Sequence, residues 1–184
     1  MPRSVPLHRL LVTLLLSCTV LVGTTACGDG GGAGAPSSSA SPSPTTSAQK
    51  QKFAKTRFVA NAGLAAGATY QWIVKPYRAG KFKKGADGRT FAMVKAGVAG
   101  AFAYNRLKAA ADNAKGDPLL SKAVAPLTAG IDSLKDVAAR MGKGETGAGD
   151  VGAFESVIDN VKEAGRSAGA EVRNKVPSTS QLGG

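Results

Sequence analysis

Two apolar stripes with helical spacing constrain the fold of this chain of 184 residues more than any other feature. In each stripe the apolar residues recur at alternating intervals of three and four, which places them on one side of an α-helix. The first stripe is Leu120, Val124, Leu127, Ile131, Leu134, Ala138 and Met141, and the second is Val151, Phe154, Ile158, Val161, Gly165, Ala168 and Val172. The pattern predicts two amphipathic helices, each with one face in a hydrophobic core.

Local signals predict where these two helices begin and break. Asp117 followed by Pro118 is the order of a capping residue and a first helical proline. Asp150 is the expected cap of the last helix. Pro126 lies inside the first stripe, where its ring and its missing N–H should kink or divide the helix. The glycine-rich residues 142–149 contain no phosphate-binding pattern, and we interpret them as a hinge between the two helices.

Two earlier segments also have helical character and are nearly free of charge. One covers residues 50–74 and should end there, because Pro76 disfavours helical geometry in the residue before it. The other covers residues 90–116, with Thr90 as its cap. Both contain runs of Ala and Gly that would allow close backbone approach. Helices that are apolar all round lie either at the centre of a bundle or against lipid, and we favour the bundle because both segments are short for a membrane span.

The start of the chain has the regions of an export signal: a basic beginning, an apolar stretch over residues 10–22 and small residues before Cys27. The motif Thr24-Thr25-Ala26-Cys27 resembles the end of a bacterial lipoprotein signal. The resemblance implies that a lipid is attached to Cys27 and that residues 1–26 are cleaved off. The alternative is ordinary secretion, with Cys27 removed or left as a free thiol.

Loss of the leader would restrict the chemistry of the mature chain. The one histidine, His8, and one of the two cysteines, Cys18, would leave with it. An intramolecular disulfide, a Cys/His zinc site and triads that need histidine are then excluded by composition. We expect neither a metal site nor a cofactor.

The residues after Cys27 are mostly Gly, Ala, Ser, Pro and Thr as far as residue 49, a composition too poor in large apolar side chains to form a core. A flexible linker of this length would reach on the order of 25 Å. The predicted organisation is a signal peptide over residues 1–26, the anchor and linker over 27–49, a helical domain over 50–176 and a disordered tail over 177–184. The fold class is all-α, a small four-helix bundle-like domain.

Positive charge is concentrated in the first half of this domain. Residues 50–108 hold 13 Lys or Arg and one Asp, whereas residues 109–184 hold nine basic and ten acidic residues. The densest part, residues 74–90, connects the first two helices and reads VKPYRAGKFKKGADGRT. Its basic residues are Lys75, Arg78, Lys81, Lys83, Lys84 and Arg89. Ala86-Asp87-Gly88 is its strongest turn signal and could close a short hairpin.

This connecting segment is a candidate binding site for an anionic partner. Trp72, Tyr77 and Phe82 are the aromatic residues in or beside it, and such rings suit an interface between water and lipid. Because we expect the chain to be exported, the expected partner is an anionic membrane surface or a cell-wall polymer, and export disfavours nucleic acid. The alternatives are a solvated connector whose charges maintain solubility and rings that pack in the core.

Carboxylates repeat at helical spacing on the two amphipathic helices, as Glu155, Asp159 and Glu163 on one and as Asp132 and Asp136 on the other. Paired carboxylates can serve as acid and base in glycoside cleavage, but basic residues three or four positions away are typical of a solvated face. We therefore expect a non-enzymatic binding protein on the outer face of the cytoplasmic membrane. A structural partner of another envelope protein is the second hypothesis, and a carboxylate-dependent enzyme is the third.

Overall fold

The computed structural model describes residues 47–183, and the leader, Cys27 and the linker as far as residue 46 lie outside the described residues. Within the described range 79% of the chain is helical and no strand is present, so the predicted all-α class is confirmed. In chain order the elements are α1 (Ser47–Thr69), a π-helical turn (Tyr70–Val74), α2 (Lys75–Arg78), α3 (Arg89–Ala114), α4 (Pro118–Val124), a 3-10 turn (Ala125–Leu127), α5 (Thr128–Gly142), α6 (Ala148–Ser167) and α7 (Thr179–Gly183).

The helices α1 and α3 form an antiparallel pair at the centre of the domain. Asn61 in α1 accepts a 3.4 Å hydrogen bond from the guanidinium of Arg106, near the end of α3. At the same end Lys55 Nζ lies 3.7 Å from the carboxylate of Asp117, just after α3. The other face of α3 packs on α5, and α6 packs against α1, α4 and α5. The basic first half of the domain is thus one helical hairpin, with its connecting segment at the tip.

Both predicted apolar stripes are in the core. Every member of the two stripes is buried except Leu127, which is half-buried in the 3-10 turn. The second stripe continues past the end of its helix, because Ala168, the C-cap of α6, and Val172, in the irregular segment beyond it, are both buried. Pro126 lies in the 3-10 turn that separates α4 from α5, so the predicted break is confirmed.

The prediction that the first helix ends before Pro76 is wrong. A π-helical turn widens the helix at this point, and the N–H of Lys75 bonds to the carbonyl of Tyr70. Pro76 then occupies the first turn of α2, where its missing N–H costs no intrahelical hydrogen bond. The helical segment therefore continues to Arg78. At the other end α1 includes residues 47–49, which we had assigned to the linker.

One of the three predicted caps is confirmed. The carboxylate of Asp117 accepts a 2.9 Å hydrogen bond from the N–H of Leu120, as an N-cap should. Thr90 is already helical, and Gly88 precedes α3 with a φ of 70°, a conformation that favours glycine. Asp150 lies inside the first turn of α6, where its carboxylate accepts a 3.0 Å hydrogen bond from the N–H of Gly147. It supports the helix start without being the cap.

The end of the chain crosses over α1. After α6 and a turn at residues 168–169 the backbone has no regular secondary structure over residues 170–178, and the N–H of Lys175 donates a 2.8 Å hydrogen bond to the carbonyl of Gly63. Where we expected a disordered tail, Pro177 is buried and Leu182 of α7 packs against the core. Small residues do allow close approach, since a Cβ added at Gly97 would lie 2.5 Å from the Cα of Gly142.

Candidate anionic-surface interface

The segment that joins α2 to α3, residues 79–88, is a series of consecutive turns. The N–H of Gly80 bonds to the carbonyl of Tyr77 at 2.9 Å, and the N–H of Lys83 bonds to that of Gly80 at 3.1 Å. A third turn joins Ala86 to the carbonyl of Lys83 at 3.2 Å. No strand forms here among the described residues, so Ala86-Asp87-Gly88 makes a turn and closes no β-hairpin.

Four of the six predicted basic residues are free to meet a partner. Lys75, Lys81, Lys83 and Lys84 are exposed, and their ammonium groups have no hydrogen bond or ion pair to any other described residue. Three of them lie in the turns, and Lys75 begins α2. Asp87 is the one acidic residue in this connecting segment. The tip of the hairpin therefore presents unpaired positive charge.

The other two basic residues make contacts within the protein. The guanidinium of Arg78 forms a 2.7 Å ion pair with Glu155 of α6 at an exposed position. Arg89 is half-buried, and it donates hydrogen bonds to the carbonyls of Phe82 at 3.1 Å and of Gly144 at 3.4 Å. Arg89 thereby ties the turns to the connection between α5 and α6. Its charge is engaged by carbonyl oxygens, which gives it a structural role.

The three predicted interfacial aromatic residues differ in exposure. Phe82 is only 7% exposed and belongs to the core, with its ring centroid 6.1 Å from that of Tyr77. Tyr77 and Trp72 are half-buried at the edge of the core. Packing therefore accounts for Phe82, which is the alternative that the sequence left open. Trp72 keeps part of its surface outside the core.

Trp72 lines a cleft of about 290 Å³ between the turns and the start of α3. Phe91 and Lys95 of α3 form the opposite wall, and the ammonium of Lys95 lies 4.6 Å from the centroid of the Phe91 ring. A cation so close to a ring face is attracted by its π electrons. Lys81 also lines the cleft, and Asp87 is the one acid that does so. The cleft combines an apolar floor with a mostly basic rim.

Sequence reasoning missed Phe91 and Lys95 as members of this surface. Phe91, Val94 and Val98 are spaced by three and four, and all three are exposed on the outer side of α3. We had attributed the apolar character of this helix entirely to burial. The usable signal was that apolar residues occupy both sides of α3, which exceeds what one core-facing stripe needs.

None of the helices between residues 47 and 183 combines the length and the hydropathy that a membrane span requires.

The carboxylates of the enzyme hypothesis are mostly paired. Glu163 forms a 2.8 Å ion pair with Arg166, and Asp132 forms one of the same length with Lys108. The hydrogen bond and the charge of Asp132 hold the pKa of Lys108 above its usual range. Within residues 47–183 no group of three or more acidic, His or Cys side chains is placed to hold a metal ion.

A small cavity of about 80 Å³ lies beside the π-helical turn, lined in part by Thr69, Asp159 and Lys162. The hydroxyl of Thr69 is buried and has no partner among the described residues. Asp159 and Lys162 have no ion pair either within the part of the chain that the structure describes. The cavity is therefore polar, with one buried hydroxyl in its wall.

No family model, curated protein or solved structure matches the chain.

Proposed function

We propose that this protein is an exported, lipid-anchored helical module that docks its basic hairpin on an anionic surface. The partner would be anionic lipid or a cell-wall polymer on the outer face of the cytoplasmic membrane. The observation that carries the proposal is the group of four unpaired lysines at the tip, Lys75, Lys81, Lys83 and Lys84. Unpaired lysines attract an external anion more strongly than lysines whose charge is already neutralised by an ion pair within the protein.

The magnitude of this attraction is sufficient for weak, reversible docking. Each Lys or Arg close to an anionic membrane gains about 1 kcal/mol, and the effect fades within a Debye length of about 10 Å at 0.1 M salt. Four lysines would together contribute roughly 4 kcal/mol, or about a thousandfold in binding. Such docking should weaken steeply as the salt concentration rises.

The leader and linker supply the second half of the proposal. A lipid at Cys27 would hold the domain near the membrane through the residues between Cys27 and α1. One acyl anchor binds membranes only reversibly, and stable attachment needs a second signal such as a basic patch. The anchor and the basic hairpin would thus act together to give stable attachment, whereas either one alone would bind the membrane reversibly.

The test uses the chain without residues 1–26 and with Cys27→Ala, so that neither the apolar leader nor a lipid enters the vesicles. We expect it to bind vesicles of phosphatidylglycerol and phosphatidylcholine, or dextran sulfate as a soluble polyanion, and to release both at high salt. Changing Lys81, Lys83 and Lys84 to Gln should weaken binding on the order of a hundredfold. Binding that ignores both the salt concentration and these three changes would refute the proposal.

A matched control removes the same number of charges elsewhere. Lys122, Lys162 and Lys175 lie on α4, on α6 and in the C-terminal segment. Their replacement by Gln changes the net charge equally and should leave most of the binding intact. If both triple variants lose binding to the same extent, net charge alone is responsible and the hairpin tip is no docking site.

A further inference from the structure

The outer side of α3 carries a row of large apolar side chains in solvent. Phe91 is 65% exposed, Val94 is 53% exposed and Val98 is 42% exposed. Residues at this spacing lie above one another on one side of a helix. Scattered exposed apolar residues are ordinary, but a continuous row on one helix face marks an interaction surface.

This row is separate from the face that α3 contributes to the core. Met93, Ala96 and Gly100 are buried on the opposite side, where Gly100 meets Ala138 and Phe154. A surface helix normally has polar residues on its outer side. In α3 the stretch from residue 91 to residue 105 contains one charged residue, Lys95. The outer row therefore has no partner within the described domain.

Basic and aromatic groups border the row at the end nearest the turns. Lys95 lies over the ring of Phe91, and Lys81 and Trp72 line the cleft that Phe91 closes. Apolar groups flanked by ammonium groups suit the boundary between phosphate headgroups and acyl chains. In that boundary the rings and the valines leave water while the lysines meet phosphate.

We propose that the partner of this surface is an anionic lipid bilayer, with α3 lying along it and Phe91, Val94 and Val98 in the headgroup–acyl boundary. This inference rests on the proposed function and narrows its two anionic partners to one. From residue 91 to residue 98 the row is roughly 10 Å long. A helix that lies in the plane of the membrane buries such a row in the headgroup–acyl boundary without spanning the bilayer.

A hydrated wall polymer would not use the apolar row, because it offers no apolar phase to receive the side chains. A second copy of the chain would not fit it well either. A symmetric dimer through α3 would bring together two half-chains that each hold 13 basic residues and one acid. Like charges facing each other across an interface are unfavourable. An anionic bilayer satisfies both the apolar row and the positive rim.

The experiment follows Trp72, the one tryptophan of the chain. Because it shares the cleft with Phe91, its emission reports on this surface and not on the leader. In the chain without residues 1–26 and with Cys27→Ala we expect a blue shift with vesicles of phosphatidylglycerol and phosphatidylcholine. Brominated acyl chains should quench the emission. Dextran sulfate should bind without producing the shift.

The deciding variant changes Phe91, Val94 and Val98 to Gln, which favours helix and leaves the buried side of α3 untouched. Loss of the apolar contacts should weaken partitioning into the vesicles on the order of a hundredfold and abolish the shift. Binding to dextran sulfate should remain. Unchanged circular dichroism and an unchanged unfolding midpoint would show that the domain is intact. The matched control, Leu119 and Val176 to Gln, removes exposed apolar residues outside α3 and should leave partitioning as it was.

The outcomes separate the two proposals. If the α3 variant enters vesicles like the parent chain while the Lys81, Lys83 and Lys84 variant does not, electrostatic docking stands and the insertion of α3 is refuted. If the parent chain binds neither anionic probe, both proposals fail. A dimer in sedimentation that the α3 variant abolishes, without any change in vesicle binding, would assign the row to a second copy and overturn the inference.

Discussion

The backbone N–H of Lys175 donates a hydrogen bond of 2.8 Å to the carbonyl of Gly63, in the middle of α1. The C-terminal segment can come this close because α1 has no side chain at Gly63 or, one turn later, at Gly67. A Cβ at Gly67 would collide with the carbonyl of Lys175. The small residues of α1 therefore allow the close backbone approach that the sequence predicts, and on this face the approaching backbone is the C-terminal segment.

Substitution at Gly67 should destabilise the domain. Gly67→Ala forces either α1 or the segment around Lys175 to move, and we expect a loss of at least about 2 kcal/mol of unfolding free energy. Gly152→Ala is the control, because a Cβ there meets nothing within 4 Å. It should stabilise the domain by up to about 1 kcal/mol through helix propensity. Urea unfolding of both variants measures the difference, and equal effects would contradict the close packing.

Two phenylalanines near the hairpin tip should behave in opposite ways. Phe82→Ala removes a buried ring and should cost about 3 kcal/mol of unfolding free energy. The exposed ring of Phe91 lies against the ammonium of Lys95. Phe91→Ala should therefore lower the unfolding free energy by less than about 1 kcal/mol. Thermal or urea unfolding compares them. A large cost at Phe91 would mean that its side chain is covered in solution.

Acid should remove a stabilising contribution from Asp150. Partial burial acts to raise the pKa of this carboxyl, but the N–H of Gly147 and the guanidinium of Arg140, 2.6 Å away, outweigh it and lower the pKa. A carboxyl with a lowered pKa stabilises the fold above its unfolded-state pKa of about 3.9. That contribution is lost as the pH falls through the lower, folded-state pKa.

Asp150→Asn should therefore cost about 0.5–2 kcal/mol at neutral pH, and its difference from wild type should shrink below about pH 4. Urea unfolding across this range measures both effects. The control is Asp112→Asn, because the pKa of Asp112 is lowered mainly by a hydrogen bond from Lys115 in an exposed pair. Salt screens such a pair, so the control should show a weaker pH dependence. A constant deficit in Asp150→Asn at every pH would rule out the role of its charge.

The buried hydroxyl of Thr69 should be replaceable with a gain in stability. The hydroxyl is unpartnered among the described residues, and burying one in this way costs about 1–3 kcal/mol in mutational series. Thr69→Val keeps the branched shape and removes the polar atom, so the unfolding free energy should rise by about that amount. A lower unfolding free energy would show that the hydroxyl is hydrogen-bonded in solution, for instance to a water in the adjacent cavity.

Lipid attachment can be tested by metabolic labelling with a fatty acid. The wild-type protein should incorporate the label and stay with membranes through a high-salt wash, and Cys27→Ala should do neither. Cys18→Ala is the control and should remain labelled, because that cysteine lies within the apolar part of the leader. An unlabelled wild-type protein would leave ordinary secretion as the explanation of the leader.

Much of the fold followed from local patterns. The stripes ending at Met141 and Val172 predicted amphipathic helices, Pro126 predicted the break between α4 and α5, and Asp117 predicted a cap. Each of these depends on residues within about one or two helical turns, because side-chain spacing and capping act over that distance. The all-α class of the domain could therefore be predicted without knowledge of any long-range contact.

What depended on the tertiary structure were the contacts between residues far apart in the sequence. Arg78 pairs with Glu155 and Arg89 bonds to the carbonyl of Gly144, so two of six similar basic residues are engaged and four are free. Phe82 is likewise buried and Phe91 is exposed, although both are aromatic residues in or beside the basic connecting segment.

By itself, then, the sequence determined the helical class, the positive hairpin and the expectation of export. The tertiary structure alone decided which charges are unpaired and which apolar face of α3 is left uncovered. The physical reason is that periodicity reports how many faces of a helix are apolar. Periodicity does not show whether another element packs on each apolar face, because this packing depends on how distant segments are brought together.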